Sequence, residues 1–141
     1  MRAFLDTNVF LHAAGVEHPL KAPCASVLAR AARSELAATT SAEVVQEILH
    51  VLRRRGRHDD ALTLTGAVLA LFPDILPVDR AVLAHTTWLL AEQPDLSTRD
   101  AVHIATAIQH GCDVLVSVDG GLLARTGLGV RVVHPTDLAG A

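Results

Sequence analysis

Short apolar runs alternate with longer helical segments along this chain, and that alternation constrains the fold more than any other feature. The runs are "AFL" at 3–5, "ELAATT" at 35–40, "ILPV" at 75–78, "DVLVSV" at 113–118 and "VRVVH" at 130–134. Each is too short for a helix and rich enough in apolar residues for a buried strand. Pro77 makes "ILPV" an edge-like strand, because proline has no N–H to give a ladder. Between the runs the apolar spacing changes to that of helices. A short helix begins at Val9 and stops near Gly15, and a second covers Pro19 to Ser34. In "SAEVVQEILHVLRRRG", Val44, Val45, Ile48, Leu49 and Leu52 form one stripe that Gly56 closes. Further helices follow over His58–Phe72, from an Asp79 cap to Glu92, over "TRDAVHIATAIQHG" up to Gly111, and briefly in "DGGLLAR".

Strands joined by helical segments of ten residues or more must be crossover-connected, so the sheet is mainly parallel. A doubly wound α/β domain with helices on both faces follows. At 141 residues, half of them hydrophobic, the chain suffices for a single domain over 1–141 with a proper core. No uncharged run reaches the roughly 20 residues of a membrane span; the longest is Ala61–Pro73. Cys24 and Cys112 stand far apart without metal-ligand spacing and read as buried small hydrophobes in a reducing cytoplasm. Net charge is −3, so contact with a polyanion has to come from a local patch or a metal.

In a sheet of this kind the ligand crevice lies at the carboxyl ends of the strands, and acids collect there. Asp6 follows the first run directly, and Asp119 ends "SVD" after the fourth. Glu43 and Glu47 sit on the helix after the second run, and Asp100 in the first turn of the helix before the fourth. Clustered carboxylates repel unless a cation sits among them, and Mg²⁺ and Mn²⁺ favour oxygen donors. Each acid also has a structural account. Asp6 can cap the following helix, and Asp119 before two glycines suits a turn. Asp100 and Glu43 fit capping boxes in "STRD" and "TSAE". Glu47 lies beyond any cap, between apolar pairs, and needs a partner or a metal. The eight histidines are scattered; His103 shares a helix face with Asp100, where a satisfied or surface histidine accounts for it. "RRRGR", with Arg53, Arg54, Arg55 and Arg57, is the one basic cluster, either a solvated helix end or a phosphate-contacting patch.

The motifs "FLDTNVFL", "TTSAEVVQEILHVL", "LSTRDAVHIATAIQHG" and "VLVSVDGGL", in that order, resemble the PIN-domain family of metal-dependent ribonucleases, and most of all the VapC toxins of VapBC toxin–antitoxin systems. The resemblance implies a three-layer α/β/α PIN-like domain around a central, mainly parallel sheet of four to five strands. It implies that Asp6, Glu47, Asp100 and Asp119 are the metal-binding and catalytic acids, with Mg²⁺ or Mn²⁺ as cofactor. Asn8, Thr7, Ser117 and Glu43 stand at supporting positions. It further implies hydrolysis of RNA phosphodiester bonds in the cytoplasm, a homodimer, and restraint by a cognate VapB-like antitoxin. Two alternatives are a catalytically silent PIN-like module that binds RNA or protein, and a phosphate-handling receiver or haloacid-dehalogenase-like domain. The second lacks its residues: the only lysine is Lys21, and the position two after Asp6 is Asn8.

Overall fold

Four parallel strands form the centre of the molecule, β1 (Arg2–Leu5), β2 (Ala37–Thr39), β3 (Val114–Val116) and β4 (Arg131–Val133), in the order β2-β1-β3-β4. The structure is a computed structural model and describes residues 1–138. β1 and β3 are adjacent and buried along nearly their whole length, which is why their sequences are unbroken apolar runs rather than alternating ones. From β1 the chain goes one way to β2, then crosses back to β3 and β4. The order therefore reverses between β1 and β3, and a crevice opens beyond their carboxyl ends.

Helices flank the sheet: α1 (Thr7–Ala13), α2 (Lys21–Ala32), α3 (Ala42–Arg54), α4 (His58–Leu71), α5 (Arg80–Glu92), α6 (Thr98–Gln109), α7 (Gly120–Leu123) and α8 (Pro135–Leu138). α1 packs on α2 and α3, α3 on α4 and α6, and α5 along α6. Three alanines in α6, Ala101, Ala105 and Ala107, are fully buried. Their small side chains let α6 lie close against β3, α3 and α5. α3 and α6 end on glycines as expected. Gly56 and Gly111 adopt φ of 73° and 75°, and the residue after each donates back five positions, Arg57 N to Leu52 O and Cys112 N to Ala107 O.

"ILPV" does not form a strand. It meets the sheet at one bridge, Ser41 with Leu76, through Leu76 N to Thr40 O and Ala42 N to Leu76 O, both 2.9 Å. Pro77 follows at once and has no donor to continue the ladder. The sheet therefore has four strands. α1 also starts two residues earlier than its apolar spacing suggests, because Asp6 caps it. Both cysteines are buried and unpaired, and burial pushes the Cys24 thiol up to about 11. Among the described residues no helix is long and apolar enough to cross a membrane.

Candidate metal centre

The end of β1 explains why Asp6 is where it is. Its backbone N–H donates to Val116 O at 3.0 Å, so the last rung of the β1–β3 ladder fixes its position. The side chain is buried, and both carboxylate oxygens are occupied as acceptors. Oδ1 takes the Thr7 N–H at 2.7 Å and Oδ2 takes the Ser117 hydroxyl at 2.8 Å. Ser117 is itself held, accepting from Asn8 Nδ2 and from the Asp119 N–H, each at 3.1 Å. Asn8 Oδ1 closes the circuit by accepting from the Val118 N–H at 3.3 Å. Asn8 thus orients Asp6 through Ser117. Capping and site formation are not rival accounts of Asp6, since the cap bond is part of what fixes the carboxylate.

α3 brings Glu47 to the same place. Its Oε2 accepts from Thr7 Oγ1 at 2.5 Å and meets His103 Nε2 at 2.9 Å, while Oε1 accepts from Arg99 at 3.0 Å. His103 Nε2 is also 3.8 Å from Asp6 Oδ1. One ligand atom from each of Asp6, Glu47 and His103 lies within 4.8 Å of the other two. Asp100 arrives from the first turn of α6, its backbone N–H capped by Ser97 Oγ at 3.0 Å. Asp119 caps α7, accepting from the N–H groups of Gly121 and Leu122. A cleft of about 590 Å³ is lined by all four acids, Asp6, Glu47, Asp100 and Asp119, together with Thr7, Asn8 and Arg99.

Other expected site residues fall elsewhere. Glu43 is half-buried in the first turn of α3 and does not line the cleft. Its capping box does not form either. Ser41, not Thr40, caps α3 through Val44 N, which leaves Glu43 one position short of the reciprocal bond. Thr40 instead donates to Leu5 O at 2.9 Å, tying β2 to the end of β1. The four arginines at 53–57 stand outside the acid cleft. His103 is not on the surface: it is 1 % exposed and sits in the acid cluster, satisfied at Nε2 by Glu47 and without a hydrogen-bond partner at Nδ1. One sequence signal could have marked it. It is the only strongly polar residue in the buried stretch Ala101–Ala107, and a polar ring in such surroundings needs a partner. Arg99 had no such signal.

The charges in the cleft are strained against one another. Burial raises the Asp6 pKa, although His103 and two hydrogen bonds oppose it. Burial also raises that of Asp100, helped by the charges of Asp119 and Glu47. Burial works against charged His103, but the Glu47 hydrogen bond and the surrounding carboxylates raise its pKa overall. Burial works against ionised Glu47 too, and its bonds from His103 and Thr7 lower its pKa overall. The sign for stability follows. For Asp6 and Asp100 the folded form holds protons that the unfolded form has released, so stability falls as pH rises through their raised values. The contribution of His103 is full below its ordinary 6.5 and is lost above its raised value. Glu47 acts the other way, but only as pH falls below its ordinary 4.5. Chelator-treated protein is therefore expected to melt at a lower temperature at about pH 8 than at about pH 5.5. Thermal melts in EDTA check this, and a higher Tm at the alkaline end contradicts it.

The donor set suits a divalent cation. Two carboxylates with raised pKa values share a partly buried cleft with two more, and a cation relieves all four. His103 Nε2 is engaged on Glu47, which leaves carboxylate oxygen as the donor type facing the cleft, and hard divalent cations favour oxygen donors.

Residues 3–127 match the PIN domain family model. Ribonuclease VapC7 of Mycobacterium tuberculosis is 40 % identical over 120 residues, covering 82 % of this chain and 80 % of that protein. Ribonuclease VapC23 of the same species is 36 % identical over 119 residues, covering 82 % and 91 %. Among solved structures, the fold resembles that of DNA-bound VapBC from Salmonella typhimurium, with TM-score 0.74, 15 % identity and coverage of 96 % and 98 %. It also resembles M. tuberculosis VapC20, described as a sarcin-ricin-loop-cleaving toxin, with TM-score 0.70, 19 % identity and coverage of 92 % and 98 %.

Proposed function

The chain belongs to the PIN domain family, and on that premise we propose that it is a divalent-metal-dependent endoribonuclease, the toxin member of a VapBC-type toxin–antitoxin pair. The observation that carries this reading is the convergence of Asp6, Glu47, Asp100 and Asp119 on one cleft at the carboxyl ends of β1 and β3. A silent binding module has no use for four carboxylates held together against their mutual repulsion. The receiver and dehalogenase-like alternatives give way to the family match.

In this reading Asp6, Glu47 and Asp100 hold the Mg²⁺ or Mn²⁺, with Asp119 at the rim. When bound, such a cation acidifies water and neutralises phosphate oxygens, so no histidine base is required. The chain's own residues do the positioning. Ser117 and Asn8 aim Asp6, Thr7 and His103 aim Glu47, and the Ser97 cap aims Asp100. These supports sit on strand ends and helix starts fixed by the core, which keeps the donors in place before metal or RNA arrives. RNA is the substrate, a VapB-like antitoxin the restraining partner, and the cytoplasm the compartment. A homodimer is consistent with the exposed Leu62 and Leu69 of α4 and the exposed Leu83 and Trp88 of α5.

The test is a titration of cleavage against a pool of structured RNAs. Activity should rise saturably with Mg²⁺ or Mn²⁺ and return to background with EDTA. Cleavage that ignores the chelator overturns the reading.

A further inference from the structure

The basic cluster at the end of α3 divides in two. Arg53 Nε lies 3.3 Å from His58 Nδ1, and Arg57 pairs with Asp60 at 2.9 Å. Both are held by α4. Arg54 and Arg55 are exposed, and their side chains make no hydrogen bond or ion pair among the described residues. Together with His50, Val51 and Arg99 they line a basin of about 390 Å³. Arg99 also lines the acid cleft, so the two depressions share a wall. Along α3, Glu47, His50, Val51, Arg54 and Arg55 follow at steps of three or four and occupy one side of the helix. From Glu47 to Arg54 the axial distance is about 10 Å.

We infer that Arg54, Arg55 and Arg99, with His50 beside them, form a phosphate-binding subsite for the RNA backbone next to the bond that is cut. This rests on the ribonuclease reading and extends it. Four carboxylates line the reaction cleft, and the chain as a whole is acidic. A polyanion entering that cleft needs positive charge within reach of its neighbouring phosphates, and the basin supplies it one wall away. The helix-dipole account explains cations in the last turn of α3. Arg99, from α6, is held on the shared wall by its ion pair with Glu47 at 3.0 Å, and His50, a turn before Arg54, lines the same depression. Arginine also suits the task, because its planar fork pairs two donors with phosphate oxygens.

The variants are R54A/R55A, with R80A/R131A removing the same charge from other exposed positions. Cleavage of a single-stranded RNA is followed with Mn²⁺ at several salt concentrations. For R54A/R55A the KM should rise about tenfold with kcat little changed, and the slope of log(kcat/KM) against log salt should flatten by roughly 1.4, about 0.7 per lost contact. R54K/R55K should recover most of the loss, and R53A/R57A should matter less than R54A/R55A. An R54A/R55A enzyme with the KM and salt slope of R80A/R131A overturns the subsite while leaving the nuclease reading intact. Anisotropy of a labelled RNA oligonucleotide with metal-free protein separates the two claims. Binding that depends on Arg54 and Arg55, with no cleavage when Mn²⁺ is then added, supports the subsite and removes the nuclease. Binding independent of them removes the subsite, whatever the protein cuts.

Discussion

Replacing Asp6 by Asn is expected to remove metal-dependent RNA cleavage while leaving a folded protein. Cation catalysis of phosphoryl chemistry supplies several kcal/mol of transition-state stabilisation, and about 1.4 kcal/mol is a factor of ten. Loss of this carboxylate should therefore lower kcat/KM by on the order of 10²–10³-fold or more. The fold has opposing reasons to change. Ionised Asp6 is costly in its buried position, so a neutral amide relieves charge. Yet both its oxygens accept hydrogen bonds, from Thr7 and from a Ser117 hydroxyl that already accepts two others. An amide nitrogen in either place faces a donor or a filled acceptor and loses one bond, about 1 kcal/mol. The two effects roughly offset, and Tm should move by only a few degrees. A D6N protein that melts like the parent and still cuts RNA at the parent rate in Mn²⁺ contradicts the assignment of Asp6.

His103 carries the second large effect, and here stability and activity should fall together. The ring is wedged between two carboxylates, 2.9 Å from Glu47 and 3.8 Å from Asp6, with almost no exposure. H103A leaves those acids facing each other in a partly buried cleft. Breaking a buried pair from one side costs on the order of 3 kcal/mol, a drop of roughly 10 °C in the Tm of the chelator-treated protein. Glu47 also loses one of the bonds that aim it, and removing such a support lowers activity about 10–100-fold. H103Q separates the two contributions. Its amide N–H can still reach Glu47 but brings no positive charge, so most activity should return while the lost stability does not. Wild-type melting and turnover in H103A would show that the ring is only filling space.

How much of this was legible beforehand depended on whether the signal was local. Short unbroken apolar runs marked β1 and β3 as buried strands, because strands covered on both faces have no polar alternation. The strand-end rule then brought Asp6 and Asp119 together, and helix spacing separated Glu47 from Glu43. Where the pattern misled, a long-range bond decided. "ILPV" has a strand's composition, but Pro77 stops its pairing after one bridge. Thr40 has the sequence of an N-cap, but Leu5 O claims its hydroxyl and Ser41 takes the cap. The partner of His103 and Arg99 was illegible for a different reason. Their partner is Glu47, 56 and 52 residues away, and only the packing of α3 on α6 brings them to it. The arginine cluster showed the same limit, since its composition does not reveal that α4 occupies Arg53 and Arg57 while Arg54 and Arg55 remain open.

The chemistry of the new RNA ends tests the central claim most directly. Asp6, Glu47 and Asp100 would hold a cation that activates water as the nucleophile. The resemblance to PIN nucleases implies that the 3′ oxygen leaves, so the downstream fragment would keep its phosphate. Sequencing by direct ligation, which accepts only 5′-phosphate ends, should capture the cut sites of RNA treated with the purified protein and Mn²⁺. Capture that requires prior phosphorylation of a 5′-hydroxyl, with a cyclic phosphate on the upstream fragment, would mean that the RNA's own 2′-hydroxyl attacks and that the acid cleft does not do the work assigned to it.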